Sequence, residues 1–90
     1  MPKFGMERGI PGAGKWSETD VAEVSAKSNE VLDGMPDVRW QESYVSDDKL
    51  YCVYVAPDAE SVREHARRGG CPADSVWEVR RVIDPTGGGR

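Results

Sequence analysis

The sequence predicts an α+β domain in which two helices cover one face of a four-stranded antiparallel sheet. Two observations predict this fold class. Strand and helix patterns follow one another in the order β-α-β-β-α-β along the 90 residues, and only a tight turn separates the two middle strands. Two helices can cover only one face of such a sheet, so its other face is expected to lie bare.

The first strand and the first helix come from the N-terminal third of the chain. Lys3–Gly9 is a short mixed segment typical of a strand, and the Gly/Pro loop "IPGAGKW" follows it. Ser17, with the acidic Asp20 three residues later, forms a weak variant of the capping box, which predicts a helix over "SETDVAEVSAKSNEVLDGM". Apolar residues recur at helical spacing in this segment, and Gly34 is a natural stop.

The middle of the chain predicts a β-hairpin. The segment "DVRWQESYVS" alternates, a turn at "DD" follows, and "KLYCVYVAP" is rich in β-branched and aromatic residues. Strict alternation puts four side chains of the first segment on one face, namely Val38, Trp40, Glu42 and Tyr44. The Cys52 side chain of the second segment is expected in the core.

A second helix and a last strand complete the domain. Asp58 caps the helix "AESVREHARR", which carries an apolar stripe that includes His65 and ends at Gly69. The segment "SVWEVRRVID", which ends at Asp84, predicts the last strand. We expect one domain over residues 1–86 and a flexible tail at 87–90. This order of elements is the ferredoxin-like arrangement.

The bare sheet face predicts self-association. Large side chains on it would form an apolar patch too large for a stable monomer, and packing two sheets face to face would cover it. We therefore expect a homodimer with a cavity between its sheets.

The net charge of −4 and the lack of a basic block argue against nucleic acid as a partner. No apolar run reaches the roughly 20 residues of a membrane span, and without a signal-peptide core the cytoplasm is the expected location.

Several sequence blocks resemble one known family. The blocks are "MPKF", "ER.IPGAGK", "W..SYV.DDK.YCVY.AP", "VREHARRGG.PA" and "V..VIDP". Over residues 1 to about 86 the chain resembles the small bacterial proteins designated domain of unknown function 4242, described through a nickel-responsive or nickel-binding member. The resemblance implies a ferredoxin-like fold, a homodimer of the α+β-barrel kind, and nickel or another divalent transition metal as a ligand.

The chain departs from the family pattern at a small set of positions: Gly5, Gly9, Trp16, Cys71 and Trp77. A glycine in place of a bulky aliphatic residue in the first strand would open space over the sheet, and the added tryptophans would line that space. Natural drift explains this set, and deliberate reshaping of a pocket is the alternative. The sequence leaves both open.

Glu42 and His65 are the residues that could carry chemistry. A carboxylate between Trp40 and Tyr44 would be desolvated, which raises its pKa toward that of a useful general base. The structural alternative is an ion pair between Glu42 and an arginine of a neighbouring strand, such as Arg80. For His65, the single histidine of the chain, the alternatives are a packed, hydrogen-bonded ring and a metal ligand or acid/base.

A metal site would draw on His65, Cys71 and Glu42. Cys71 follows the Gly-Gly break and is either a small loop residue or a thiolate ligand. Because His65 and Cys71 leave at least two coordination positions unfilled, they are not expected to form a site by themselves. The G-x-G-K of "IPGAGK" lacks the serine or threonine of a phosphate loop, since Trp16 stands there.

These observations support one leading function and two alternatives. The leading hypothesis is a homodimeric binding protein whose inter-sheet cavity holds a metal ion or a small apolar ligand. The expected pocket residues are Gly5, Trp40, Tyr44 and Trp77. The first alternative is an enzyme that transfers a proton on a small aromatic substrate, with Glu42 as base and His65 as a second catalytic group. The other is an interaction module without a ligand.

Overall fold

The computed structural model of the protein describes residues 1–70 and 73–88. Within them the chain forms β1 (Lys3–Gly9), α1 (Glu18–Asp33), β2 (Arg39–Val45), β3 (Lys49–Val55), α2 (Ala59–Arg68) and β4 (Ser75–Val79). Short 3₁₀ turns lie at Ala13–Lys15 and Pro85–Gly88. The fold class and the β-α-β-β-α-β order predicted from the sequence are confirmed.

Both helices begin where the sequence predicts. Ser17 and Asp20 form the capping box, because the Asp20 N–H donates to Ser17 Oγ over 3.1 Å and the Ser17 N–H donates to Asp20 Oδ2 over 3.0 Å. Asp58 caps α2, and its Oδ1 accepts a hydrogen bond of 2.8 Å from the Ser61 N–H. These caps satisfy N–H groups that have no partner inside a helix. Local side-chain chemistry therefore fixes both helix starts.

The four strands form one antiparallel sheet in the order β2-β3-β1-β4, so β2 and β4 are its edges. Residues directly opposite one another in the register lie on the same face of a sheet. Met6 and Cys52 are such a pair, and they lie on the face that the helices cover. Gly5 is opposite both Val53 and Trp77, and these three lie on the uncovered face.

The hydrophobic core lies between the helices and the sheet. Its buried side chains are Phe4, Met6, Val38, Leu50, Cys52, Tyr54, Ala56, Val62 and Ala66. The predicted apolar stripe of α2 is confirmed, since Val62, His65 and Ala66 are all buried. In contrast, none of the residues of α1 is fully buried. The second helix is therefore held tightly on the sheet, whereas the first is packed more loosely.

A bulge in β2 overturns one prediction. Trp40 and Glu42 pair with neighbouring residues of β3, which leaves Gln41 as an extra residue. The extra residue shifts the alternation by one position, so Trp40 lies on the helix-covered face. Glu42 and Tyr44 lie on the uncovered face. The prediction that Trp40 shares a face with Glu42 and Tyr44 is wrong, because strict alternation does not continue across a bulge.

The last strand is shorter than predicted. The sequence pattern indicated a strand to Asp84, whereas β4 ends at Val79. Val79 is opposite Lys3, the first residue of β1, so beyond this point no residue of β1 is left to pair with. Residues 80–87 are exposed. The flexible tail at 87–90 and the domain boundary at residue 86 stay predictions.

The loop "IPGAGK" packs on the turn between β2 and β3. The Gly12 N–H donates to Asp48 Oδ1 over 2.9 Å, and the Gly14 N–H donates to the Asp47 carbonyl over 3.0 Å. Gly12 has a φ of 80°, a left-handed conformation that favours glycine. Both N–H groups are thus directed at the hairpin turn, which gives the glycines of this loop a structural role.

We expect Gly14→Ala to destabilise the protein. A Cβ at this position would lie 2.8 Å from the Asp47 Cα, and backbone cannot move aside as a flexible side chain can. The expected loss is about 1–3 kcal/mol, the usual cost of overpacking, measured by urea unfolding. Gly34→Ala is the matched control, because its Cβ would meet nothing closer than 3.6 Å. Equal stability of both variants would contradict the close packing of the loop.

Candidate functional site

The uncovered sheet face is largely aromatic and aliphatic. The apolar side chains on it are Tyr44, Tyr51, Val53, Val55, Trp77 and Val79. Tyr44, on one edge of the sheet, is 56% exposed, and Trp77, on the other edge, is 43% exposed. An ion pair of 3.0 Å between Lys49 Nζ and Glu7 Oε1 lies beside them. This face is where the sequence predicted the ligand pocket and the dimer contact.

Gly5 and Trp77 form one packing unit on this face. The two residues are opposite one another in the β1–β4 pair. A Cβ on Gly5 would lie 2.5 Å from two atoms of the Trp77 ring, so the indole occupies the space that the missing side chain leaves. The structure brings these two predicted pocket residues together, with the tryptophan filling the space over the glycine.

Glu42 and Tyr44 form a second pair on the same face. The Tyr44 hydroxyl donates a hydrogen bond to Glu42 Oε2. This bond and the charge of the carboxylate raise the pKa of Tyr44, because the neutral phenol is the donor. The expected ion pair of Glu42 with Arg80 is wrong, since Glu42 lies on the edge strand β2 and Arg80 follows the opposite edge strand, β4. Arg80 Nη1 instead lies 3.8 Å from Glu78 Oε1.

His65 lies on the other side of the sheet, between α2 and the strands. It is 2% exposed, and its ring packs edge-on against Tyr54 with the ring centroids 5.1 Å apart. Its Nε2 is 3.4 Å from Ser28 Oγ, whereas Nδ1 has no hydrogen-bond partner among the described residues. Burial, together with the nearby charge of Arg8, lowers the pKa of His65 to about 4. The ring is therefore neutral near pH 7.

The structure separates the residues that were predicted to act together. His65 lies on the helix-covered face and Glu42 on the uncovered face, so within one chain they cannot contact the same ligand. Trp40 lies on the same side as His65, away from Tyr44. Cys71 lies outside the described residues, so the predicted pairing of His65 with Cys71 stays a prediction.

The described part of one chain does not fit a metal ion by itself. Over residues 1–70 and 73–88, no group of three or more His, Cys, Asp or Glu side chains is close enough to hold one. His65, the single imidazole, packs against the Tyr54 ring and lies near Ser28 and Arg8. In the same residues, no helix is long and apolar enough to cross a membrane.

Sequence reasoning missed a crevice between α1 and the sheet. It consists of two adjoining cavities of about 260 and 300 Å³. Both cavities are lined by Arg8, Trp16, Val24, Ser28 and Leu50. One signal in the sequence could have located its floor. By alternation along β1, Arg8 follows two buried apolar residues on the core-facing side, where an arginine needs a polar partner or a cavity.

The floor of the crevice also carries a chain of hydrogen bonds. Trp40 Nε1–H donates to Ser43 Oγ over 2.9 Å, and the Ser43 hydroxyl donates to Cys52 Sγ over 2.9 Å. The thiol is 3% exposed, which confirms the prediction that Cys52 lies in the core. The bulge in β2 makes this chain possible, because it places Trp40 and Ser43 on the same face.

The fold and the one-sided sheet define a small ferredoxin-like α+β protein. The chain belongs to the family described as nickel responsive protein SCO4226-like, whose model matches residues 4–79. This finding confirms the resemblance inferred from the sequence blocks. No curated protein is significantly similar to the chain.

One solved structure is similar in fold. The crystal structure of SCO4226 from Streptomyces coelicolor A3(2) matches with a TM-score of 0.75 and 21% sequence identity. The match covers 90% of this chain and 99% of the SCO4226 chain. At this level of identity the likeness shows the fold alone.

We expect Gly5→Ala to destabilise the protein only while Trp77 is present. The new Cβ would push the indole away from the sheet, at a cost of roughly 1 kcal/mol. In a Trp77→Ala background the same change should be neutral or stabilising, since alanine restricts the unfolded chain more than glycine does. Urea unfolding of the four proteins in this double-mutant cycle measures the coupling. A cost that persists without the indole would contradict the pairing.

The low pKa of His65 predicts a pH dependence of stability. The unfolded histidine takes up a proton near its ordinary pKa of about 6.5, whereas the folded one does so only near pH 4. Between these values the unfolded state binds more protons, so the free energy of unfolding should fall as the pH falls from about 6.5 to about 4. Urea midpoints across this range measure it. In His65→Gln the free energy of unfolding should depend less on pH over this range. An unchanged pH dependence in this variant would contradict the burial of a neutral ring.

Proposed function

We propose that the protein is a small homodimeric binding protein whose subunits pack their uncovered sheet faces together. A small apolar ligand, or a metal ion, would be held between the two sheets. The proposal rests on one observation: the face that no helix covers carries two tyrosines, a tryptophan and three valines. An apolar patch of this kind on a small protein marks an interaction site.

The aromatic side chains favour an apolar ligand over an ion. Tyr44 and Trp77 lie at opposite edges of the sheet and would flank a ligand held over the central strands. The hydrogen-bonded pair of Glu42 and Tyr44 would supply the polar contact at one edge. Aromatic walls with a few polar groups are typical of small-molecule sites.

A nickel ion is the second ligand that we propose to test, because the family is described as nickel responsive. The described residues of one chain hold no group of three ligating side chains, so an ion would have to take ligands from both subunits or from Cys71. Metal analysis of the protein after dialysis against nickel separates the two ligands. One ion per subunit or per dimer supports the metal, and none supports the apolar ligand.

The enzymatic alternative with Glu42 as general base has weaker support. Glu42 is exposed in the single chain, so the buried environment that the sequence predicted for it is missing there. It also accepts a hydrogen bond from Tyr44, so one of its oxygens already has a partner. His65, the other proposed catalytic group, lies on the opposite face. The cytoplasm remains the proposed location.

We expect sedimentation at micromolar concentration to give a mass near twice 9.9 kDa. Tyr44→Lys should convert the dimer to a monomer, because it places a charge in the apolar contact. Val45→Lys is the matched control, since Val45 is the next residue of the same strand, is 47% exposed, and lies on the other face. A folded, unaltered protein that sediments as a monomer would overturn the proposal, as would equal loss of the dimer in both variants.

A further inference from the structure

The crevice between α1 and the sheet lies on the opposite side of the sheet from the proposed dimer contact. Its two cavities share residues from β1, from the loop before α1, from α1 itself and from β3. It exists because α1 is not pressed onto the sheet, as the lack of any fully buried residue in this helix shows. Its volume suits a small molecule at the lower end of the usual range for ligand sites.

The walls of the crevice are apolar, and part of them is exposed. Trp16 and Trp40 are both partly buried and line the same cavity. At the mouth, three valines have exposed side chains, with 45% for Val21, 40% for Val24 and 47% for Val45. A flat apolar molecule between the two tryptophans would cover these valines, and burial of their surface would favour binding.

The floor of the crevice is polar and carries a positive charge. Arg8 lines both cavities. It is the one ionic side chain among the described residues that line the first cavity, whereas Glu23 and Lys27 also line the second. A guanidinium group has five N–H donors, so Arg8 can bind an anion in addition to the contacts that it already makes. The second cavity also contains the buried His65, whose Nδ1 has no hydrogen-bond partner among the described residues. The ring thus offers an unused polar atom next to the arginine.

We propose that this crevice binds a small aromatic carboxylate, with the carboxylate at Arg8 and the ring between Trp16 and Trp40. The carboxylate matches the planar fork of the guanidinium group. The charge of Arg8 and the apolar walls together select this class, since a neutral ring would gain nothing at Arg8 and a small inorganic anion would gain nothing from the walls. This site goes beyond the proposed dimer and needs residues of one chain only.

Naphthoate, with naphthamide as its uncharged match, tests the proposal on the unaltered protein. The readout is the NMR signal of each tryptophan indole N–H, assigned with Trp→Phe variants. Naphthoate should shift the signals of Trp16 and Trp40 and leave that of Trp77, which lies on the other face of the sheet. It should also bind at least about tenfold more tightly than naphthamide, as expected for a charge-assisted hydrogen bond.

Arg8→Gln should abolish the preference for naphthoate over naphthamide. Arg81→Gln is the matched control, because Arg81 is an exposed arginine that follows β4 and lines neither cavity. If Arg8→Gln does not fold, the comparison of the two probes on the unaltered protein decides alone. The proposal is overturned if naphthoate does not bind, if only the Trp77 signal shifts, or if both probes bind equally. Sedimentation is a separate measurement, so failure of this site and failure of the dimer are distinguishable.

Discussion

Helices cover only one face of the sheet, and this constraint divides the side chains of the strands into two environments. Neighbouring residues of a strand point to opposite faces, so each strand supplies both the core and the bare face. On β1, Met6 lies in the core and Gly5 lies beneath the Trp77 indole. The predicted polar groups are divided in the same way, which is why Glu42 and His65 do not meet.

The two helices contribute unequally to the covered face. The ten residues of α2 bury Val62, His65 and Ala66 directly on the strands, whereas the sixteen residues of α1 bury none completely. The α1 residues that line the crevice include two small serines, Ser25 and Ser28, and these do not fill the space above the sheet. Small side chains on α1 therefore leave unfilled the space that the loose packing of this helix creates above the sheet, and Arg8 lines the floor of that space.

Two of the residues predicted to depart from the family pattern are coupled in space. Gly5 has no side chain, and the Trp77 ring lies where a side chain would be. The pair fills the sheet face in a different way from a bulky residue in the first strand, and it leaves an exposed indole at one edge. Trp16, another residue predicted to depart from the pattern, lies on the opposite side of the sheet, at the crevice.

The sequence by itself determined the order of the elements and the helix starts, because caps such as Ser17 and Asp58 and the apolar spacing of α2 act between residues close in the chain. It also located Cys52 in the core through plain alternation on β3. Only the tertiary structure decided the facing of Trp40, the end of β4 and the crevice. A bulge depends on how β2 and β3 pair, β4 ends where β1 begins, and the crevice depends on how closely α1 approaches the sheet. Each of these is a contact between distant segments, and no local pattern of residues encodes it.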